Sequence, residues 1–214
     1  MLVVSRLVCA QPVALELVLA LDSSASVDRN EFKLQLKGLA RAFADPDVAK
    51  AVANLSPLGV SVAVMQWGGV GETRLIIPFT VLKSKADAIV FGFRIGKSRR
   101  KIRATDTSIT TAIIDAHALL NANAFEGQRS VIDISGDGPD NSGLNIEAAR
   151  QDANRARITI NGLPIEADEN TVVKYYREHV IVGAGSFVEP ALNFEDYARA
   201  IKQKLLRELL PLAS

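Results

Sequence analysis

Cysteine is nearly absent from this 214-residue chain, and histidine is scarce. With Cys9 alone no internal disulfide can form, and with His117 and His179 as the sole histidines there is no cysteine and histidine cluster to hold zinc. The redox compartment therefore stays open. An excess of one charge is also lacking: 25 Lys and Arg stand against 24 Asp and Glu. No global field draws such a chain to nucleic acid or to an anionic membrane. A transmembrane helix needs roughly 20 apolar residues, and Arg6, Gln11 and Glu16 interrupt the apolar start before that length is reached.

What is present is ample apolar material, 48% of the residues, enough for the core of one large domain. The opening "MLVVSRLVCAQP" reads equally as the tail of a secretory signal peptide and as an ordinary extension. Residues 1–12 are accordingly set apart from a domain over 13–214. The first reading places the protein in the periplasm or outside the cell, the second leaves the cytoplasm open.

"VALELVLAL", residues 13–21, is almost continuously apolar, as a strand buried on both faces of a parallel sheet would be. Asp28 followed by Glu31 forms a capping-box pattern ahead of Phe32, Leu36, Leu39 and Phe43 at helical spacing. A short helix over 47–55, the strands "GVSVAVMQW" and "TRLIIPF" joined by "GGVGE", and helices over 85–95 and 108–120 follow. Pro78 places the second of those strands at an edge. The strand "RSVIDIS", a helix over 144–153, the strand "ITINGLPI", a helix over 172–178, a short strand near "GSFVEP" and a helix over 194–209 complete the order. Strands alternating with helices predict a Rossmann-like, doubly wound α/β fold: a mostly parallel central sheet, one antiparallel edge strand, and helices on both faces. Ligands of such folds bind at the carboxyl ends of the strands.

Two segments sit at such ends. Asp22, Ser24 and Ser26 spell D-x-S-x-S after the first long strand, and Asp137 follows the strand "VIDIS". Alternate residues can turn their oxygens to one point, and magnesium takes about six oxygen ligands, some of them water. Serine and aspartate are equally at home in a solvated turn or at a helix start, so the motif by itself leaves both readings open. Thr107, in the loop before the helix at 108–120, falls on the same face of the sheet in this element order.

These segments together resemble the von Willebrand factor type A (vWA) domain and its metal-ion-dependent adhesion site. More closely, "DSSASVDRNEF", "VMQWGG", "VIDISGDGPDN", "TINGLPI" and "KYY" resemble a bacterial family of vWA-like proteins, often carrying signal peptides, with no assigned function. The resemblance implies that Ser24 and Ser26 bind a divalent ion directly. Asp22 would sit at or near the ion, Thr107 would move onto and off it, and Asp137 would act through water. Mg2+ is the implied cofactor, with Mn2+ or Ca2+ as alternatives, and the implied partner is a protein presenting an acidic residue. Adhesion without catalysis is the implied role. Two departures stand out. Asp106 precedes Thr107 where the family commonly has glycine, adding charge beside the ion, and Ser135 and Gly136 precede Asp137 where threonine is common.

Other readings compete. An aspartate after the first strand and a later "GDGPDN" also resemble haloacid-dehalogenase-like phosphatases, with Asp22 as nucleophile. That family expects an acid two residues on, where this chain has Ser24, and its third-motif lysine has no clear counterpart. A vWA fold with a vestigial metal site is a third reading. Nucleophilic serine catalysis lacks its G-x-S-x-G elbow, and neither histidine has a motif partner. "RIGKSRRKIR", residues 94–103, carries six basic residues and no acid, and reads as a solvated loop or as a strip that steers an acidic partner. Without interleaved aromatics it offers no base-stacking platform. Asp133 lies inside a buried strand, where a carboxylate must be paired, and is a candidate supporting neighbour of Asp137 behind the ion's own ligands. Trp67 reads as core packing.

Overall fold

The computed structural model describes residues 10–102, 104–165 and 171–210. Five strands form the central sheet: β2 (Leu15–Asp22), β3 (Val60–Trp67), β4 (Thr73–Leu82), β6 (Ser130–Gly136) and β7 (Ile158–Pro164). Their order is β4-β3-β2-β6-β7, with β3 and β4 antiparallel and every other pairing parallel. The helices α1 (Arg29–Ala44), α2 (Pro46–Asn54), α3 (Lys85–Lys97), α4 (Ile109–Asn121), α5 (Ile146–Arg155), α6 (Thr171–Tyr175) and α7 (Tyr197–Leu209) cover it, with a π-helical turn at Tyr176–Val180. The expected doubly wound α/β architecture is the observed one.

Strand β2 is buried along its whole length, which explains why its sequence does not alternate. Its period of two divides the core instead. Leu15, Leu17, Leu19 and Leu21 join the cluster beneath α1, α2, α3 and α7, whereas Val18 and Ala20 join the one beneath α4, α5 and the π turn. Asp28 caps α1 as expected: its carboxylate accepts from the amides of Asn30 and Glu31, and Glu31 returns the bond to the Asp28 amide. Pro78 lies opposite a register shift between Val62 and Val64 on the edge strand β4, where a missing donor does no harm. In the β3–β4 turn "GGVGE", Gly71 adopts φ +70, a conformation glycine takes without strain.

Several expectations need correction. The short strand near "GSFVEP" is reduced to isolated bridges from Val188 to Gly162 and from Ala191 to Ile165, because Gly183 and Gly185 at positive φ and then Pro190 prevent a ladder. The last helix begins at Tyr197, after a turn in which the Asp196 amide donates to Asn193 Oδ1. The helix expected over 172–178 is α6 continued by the π turn. Two short strands went unexpected, β1 (Gln11–Val13) and β5 (Phe125–Gly127), which pair in parallel. Gln11 and Pro12 of the expected N-terminal extension thus belong to β1, while residues 1–9 lie outside the described residues. Among the described residues no helix is long and apolar enough to cross a membrane.

Candidate metal centre

Strands β2 and β6 are neighbours in parallel register, Leu21 opposite Ser135, so their carboxyl ends deliver Asp22 and Asp137 to the same place. Asp22 is fully buried. The Ser24 amide donates to its Oδ1 at 2.7 Å and the Asp137 amide approaches Oδ2 at 3.4 Å. From the loop after β2, the Ser24 hydroxyl lies 3.3 Å from the Ser26 hydroxyl, which in turn donates to Asp137 Oδ1 at 2.7 Å. Asp22, Ser24, Ser26 and Asp137 are therefore one connected group of oxygens, buried at Asp22 and Ser24 and open to solvent at Ser26.

The electrostatics of the group ask for a cation. Burial first, and then the negative charge of Asp137, pushes the Asp22 carboxyl up to about 7, and the Ser24 hydrogen bonds recover only part of the loss. No basic side chain among the described residues compensates Asp22. Nor do three His, Cys, Asp or Glu side chains group together among those residues. Two carboxylates joined by neutral hydroxyls fit a hard divalent ion that keeps water in its shell, and fit zinc in a sulfur and nitrogen cage poorly.

Thr107 is buried and enters through its backbone. Its amide donates to Asn141 Oδ1 at 2.9 Å, and its carbonyl accepts from the Asn141 amide at 3.0 Å. Its hydroxyl makes no hydrogen bond to the four-residue group. Asp140 fixes the same junction by accepting from the amide and hydroxyl of Thr110 at 2.7 and 2.8 Å. The "PDN" of "GDGPDN" thus staples the Thr107 loop to the Asp137 loop, a role that neither motif signals in sequence.

Asp106 is exposed and its carboxylate faces Thr105 at 3.4 Å. Asp133 is not brought to the group: it points to the opposite face of the sheet, where Lys204 Nζ lies 3.0 Å from its Oδ2. Trp67 is wholly buried, its indole donating to the Ala20 carbonyl. His117 sits on α4, and His179, itself exposed, lies in the π turn, where it lines a surface hollow with Pro139 of the Asp137 loop.

Two residues that sequence reading passed over shape the site. Arg100, in the basic stretch, is spent on the D-x-S-x-S loop: Nη2 donates to the carbonyls of Ser23 and Ser24 at 2.9 and 3.0 Å, and Nη1 to that of Val27 at 2.5 Å. Tyr176 is buried with its hydroxyl beside Gly136, and burial, reinforced by the charges of Asp22 and Asp137, drives its phenol well above the usual range. A Cβ on Gly136 would stand 2.7 Å from Tyr176 Oη, 2.9 Å from Asp22 Oδ2 and 3.0 Å from Trp67 Cζ2. That crowding explains why glycine replaces the bulkier residue expected there. Gly136→Ala is expected to cost about 1–3 kcal/mol as an overpacked site and to weaken metal binding by displacing Asp22. Urea melts and metal titration check both, and Tyr176→Phe added to it should restore part of the loss.

The topology is that of the vWA fold, as the structural comparisons show. A domain from Catenulispora acidiphila, named as von Willebrand factor type A, superposes with a TM-score of 0.61 at 15% identity over 92% of this chain and 43% of that one. The mussel byssus proximal thread matrix protein 1 "with zinc occupied MIDAS motif" gives 0.62 at 16% identity over 93% and 46%. The vWF domain of the type V pili tip protein Mfa5 from Porphyromonas gingivalis gives 0.60 at 11% identity over 94% and 98%. The chain thus spans less than half of the first two proteins. No curated protein matches the sequence. Residues 12–213 match the family described as "Protein of unknown function (DUF1194)", and the chain belongs to that family.

Proposed function

We propose that this protein is a divalent-cation-dependent protein-binding module, without catalysis of its own, in which Asp22, Ser24, Ser26, Thr107 and Asp137 hold Mg2+. The carrying observation is the linked oxygen group at the ends of β2 and β6, built around a buried carboxylate that no basic side chain among the described residues compensates. When bound, an ion held largely by neutral hydroxyls keeps enough positive charge to attract a carboxylate from a partner as a further ligand. The likeness to a pilus tip domain and to a zinc-occupied metal-ion-dependent adhesion site supports adhesion as the setting, and with it the periplasm or the cell exterior. Mn2+ and Ca2+ are alternative occupants, and the Asp106 carboxylate is an outer neighbour that adds negative charge.

Calorimetric titration of metal-stripped protein with Mg2+ and Mn2+ tests this. Wild type should bind saturably, and Asp22→Asn and Ser24→Ala/Ser26→Ala should each lose about tenfold or more in affinity. Absence of binding in all three would mean a vestigial site. Hydrolysis of an aryl phosphate by wild type, abolished in Asp22→Asn, would instead establish a phosphohydrolase.

A further inference from the structure

Along α1, Arg29, Lys33, Lys37 and Arg41 recur at every fourth residue, and all four are exposed. That spacing puts them side by side on one face of the helix, where like charges work against it. Arg29 adds a second penalty by placing positive charge in the first turn, against the helix dipole. None of the four has a carboxylate partner among the described residues. A row of uncompensated cations costs the fold something and is offset only when an anion lies along it.

Beside this row runs a groove of about 620 Å³. Arg29, Lys33 and Lys37 form one wall, and Arg99 and Arg100, past the end of α3, form the other. Its floor is apolar, from the buried rings and chains of Phe32 and Leu36, and no acidic residue lines it. Gly96 also lines it. Outside the groove lining, one turn back on α3, Phe93 is 67% exposed with Lys97 Nζ 5.3 Å from its ring, so the neighbouring surface is apolar as well as basic. Arg100 is committed to the loop carbonyls of Ser23, Ser24 and Val27 and serves as wall. The charges available for docking are Arg29, Lys33, Lys37 and Arg99.

We infer that this groove receives an acidic peptide segment of a partner protein, its carboxylates between the two basic walls and one apolar side chain on the Phe32 and Leu36 floor. A narrow apolar trough between basic rims fits a single chain laid lengthwise, whereas a lipid surface is too broad to reach its floor. The site lies outside the metal group and binds with or without a divalent ion, so it stands apart from the metal-dependent reading.

The experiment uses the full chain and a labelled peptide of glutamates around one leucine, followed by fluorescence anisotropy with and without EDTA. Binding should saturate, ignore EDTA and weaken with salt. It should fall about tenfold or more in Lys33→Glu/Lys37→Glu, and similarly when glutamines replace the peptide's glutamates. A peptide with serine for leucine should bind more weakly. Arg41→Glu reverses a charge on the same row outside the groove lining and should retain most of the affinity, and thermal melts of both variants should be no lower than wild type, because the positions are exposed and each reversal relieves repulsion along the row. The inference is overturned if Lys33→Glu/Lys37→Glu binds like wild type, if Arg41→Glu loses as much, or if the serine peptide binds equally well. It is also overturned if the peptide fails to bind while phosphatidylglycerol vesicles bind wild type and not Phe93→Ser.

Discussion

Replacing Lys204 by methionine is expected to destabilise the protein by about 3–5 kcal/mol, the range for removing one partner of a buried ion pair. Lys204 is wholly buried on α7, with Nζ 2.6 Å from Glu208 Oε1 and 3.0 Å from Asp133 Oδ2. The second contact lies off the hydrogen-bonding direction, and among the described residues neither Asp133 oxygen nor Glu208 Oε2 has a hydrogen-bond partner. Asn161 shares the load by donating to Glu208 Oε1 at 2.9 Å. Two buried acids thus lean on Lys204, with Arg129 as a further positive charge near Glu208 alone. Without Lys204, one or both must take up protons or the helix must lift from the sheet.

The same cluster gives the stability a pH dependence. Burial pushes the Asp133 carboxyl up to about 7, with Lys204 opposing the rise and Glu208 adding to it. A carboxyl that holds its proton more tightly folded than unfolded contributes stability that is fully present below its unfolded value. That contribution is lost as pH rises through the folded value. Stability of the metal-stripped protein should therefore decline between about pH 4 and about pH 7 from this group, and Asp22, pushed up to about 7 as well, acts in the same direction. In Lys204→Met only Arg129, beside Glu208, remains to balance the acids, and nothing replaces the ammonium at Asp133, so the deficit should be larger at about pH 8 than at about pH 5. Urea denaturation at both values measures this, and an equal deficit at both would mean that Lys204 acts through packing alone.

How much of this was legible in sequence depended on distance along the chain. The fold was legible because β2, β3 and β6 are largely apolar runs and α1 carries its own cap in Asp28 and Glu31, all local signals. Asp22, Ser24, Ser26 and Asp137 could be named because motifs at the ends of parallel strands converge whenever the strands are neighbours. Sequence could also say that Asp133 needs a partner, but its partner is 71 residues away on α7. Lys204 carries no mark beyond its spacing to Glu208, which suits a surface pair equally well. Tyr176 and Asn141 were hidden for the same reason: each acts through a backbone or cavity that exists only after folding. The short strands β1 and β5 escaped because three residues are too few to show a period.

Arg100 is the sharpest case, because a residue inside a run of six basic ones reads as solvated surface. The second large expected effect follows from its geometry. Arg100→Ala should cost about 2–4 kcal/mol, since carbonyls left unpaired in buried surroundings cost roughly 1–3 kcal/mol each and not additively. Ser23, Ser24 and Val27, whose carbonyls it serves, are all essentially buried. Arg100 Nε also donates to the Ser23 hydroxyl at 3.0 Å, so one planar group fixes both backbone and side chain of this loop. A lysine offers one compact ammonium in place of that fork and cannot reach the same acceptors together, so Arg100→Lys should recover little. The loop shaped in this way carries the Ser24 and Ser26 hydroxyls. Metal affinity should therefore fall about tenfold or more in Arg100→Ala although every candidate ligand is intact, as it does when the supports of metal ligands are removed elsewhere. Titration with Mn2+ beside urea melts separates the two effects. If stability falls while affinity holds, the loop keeps its shape without the guanidinium. If both fall together, Arg100 is part of the scaffold of the proposed metal centre.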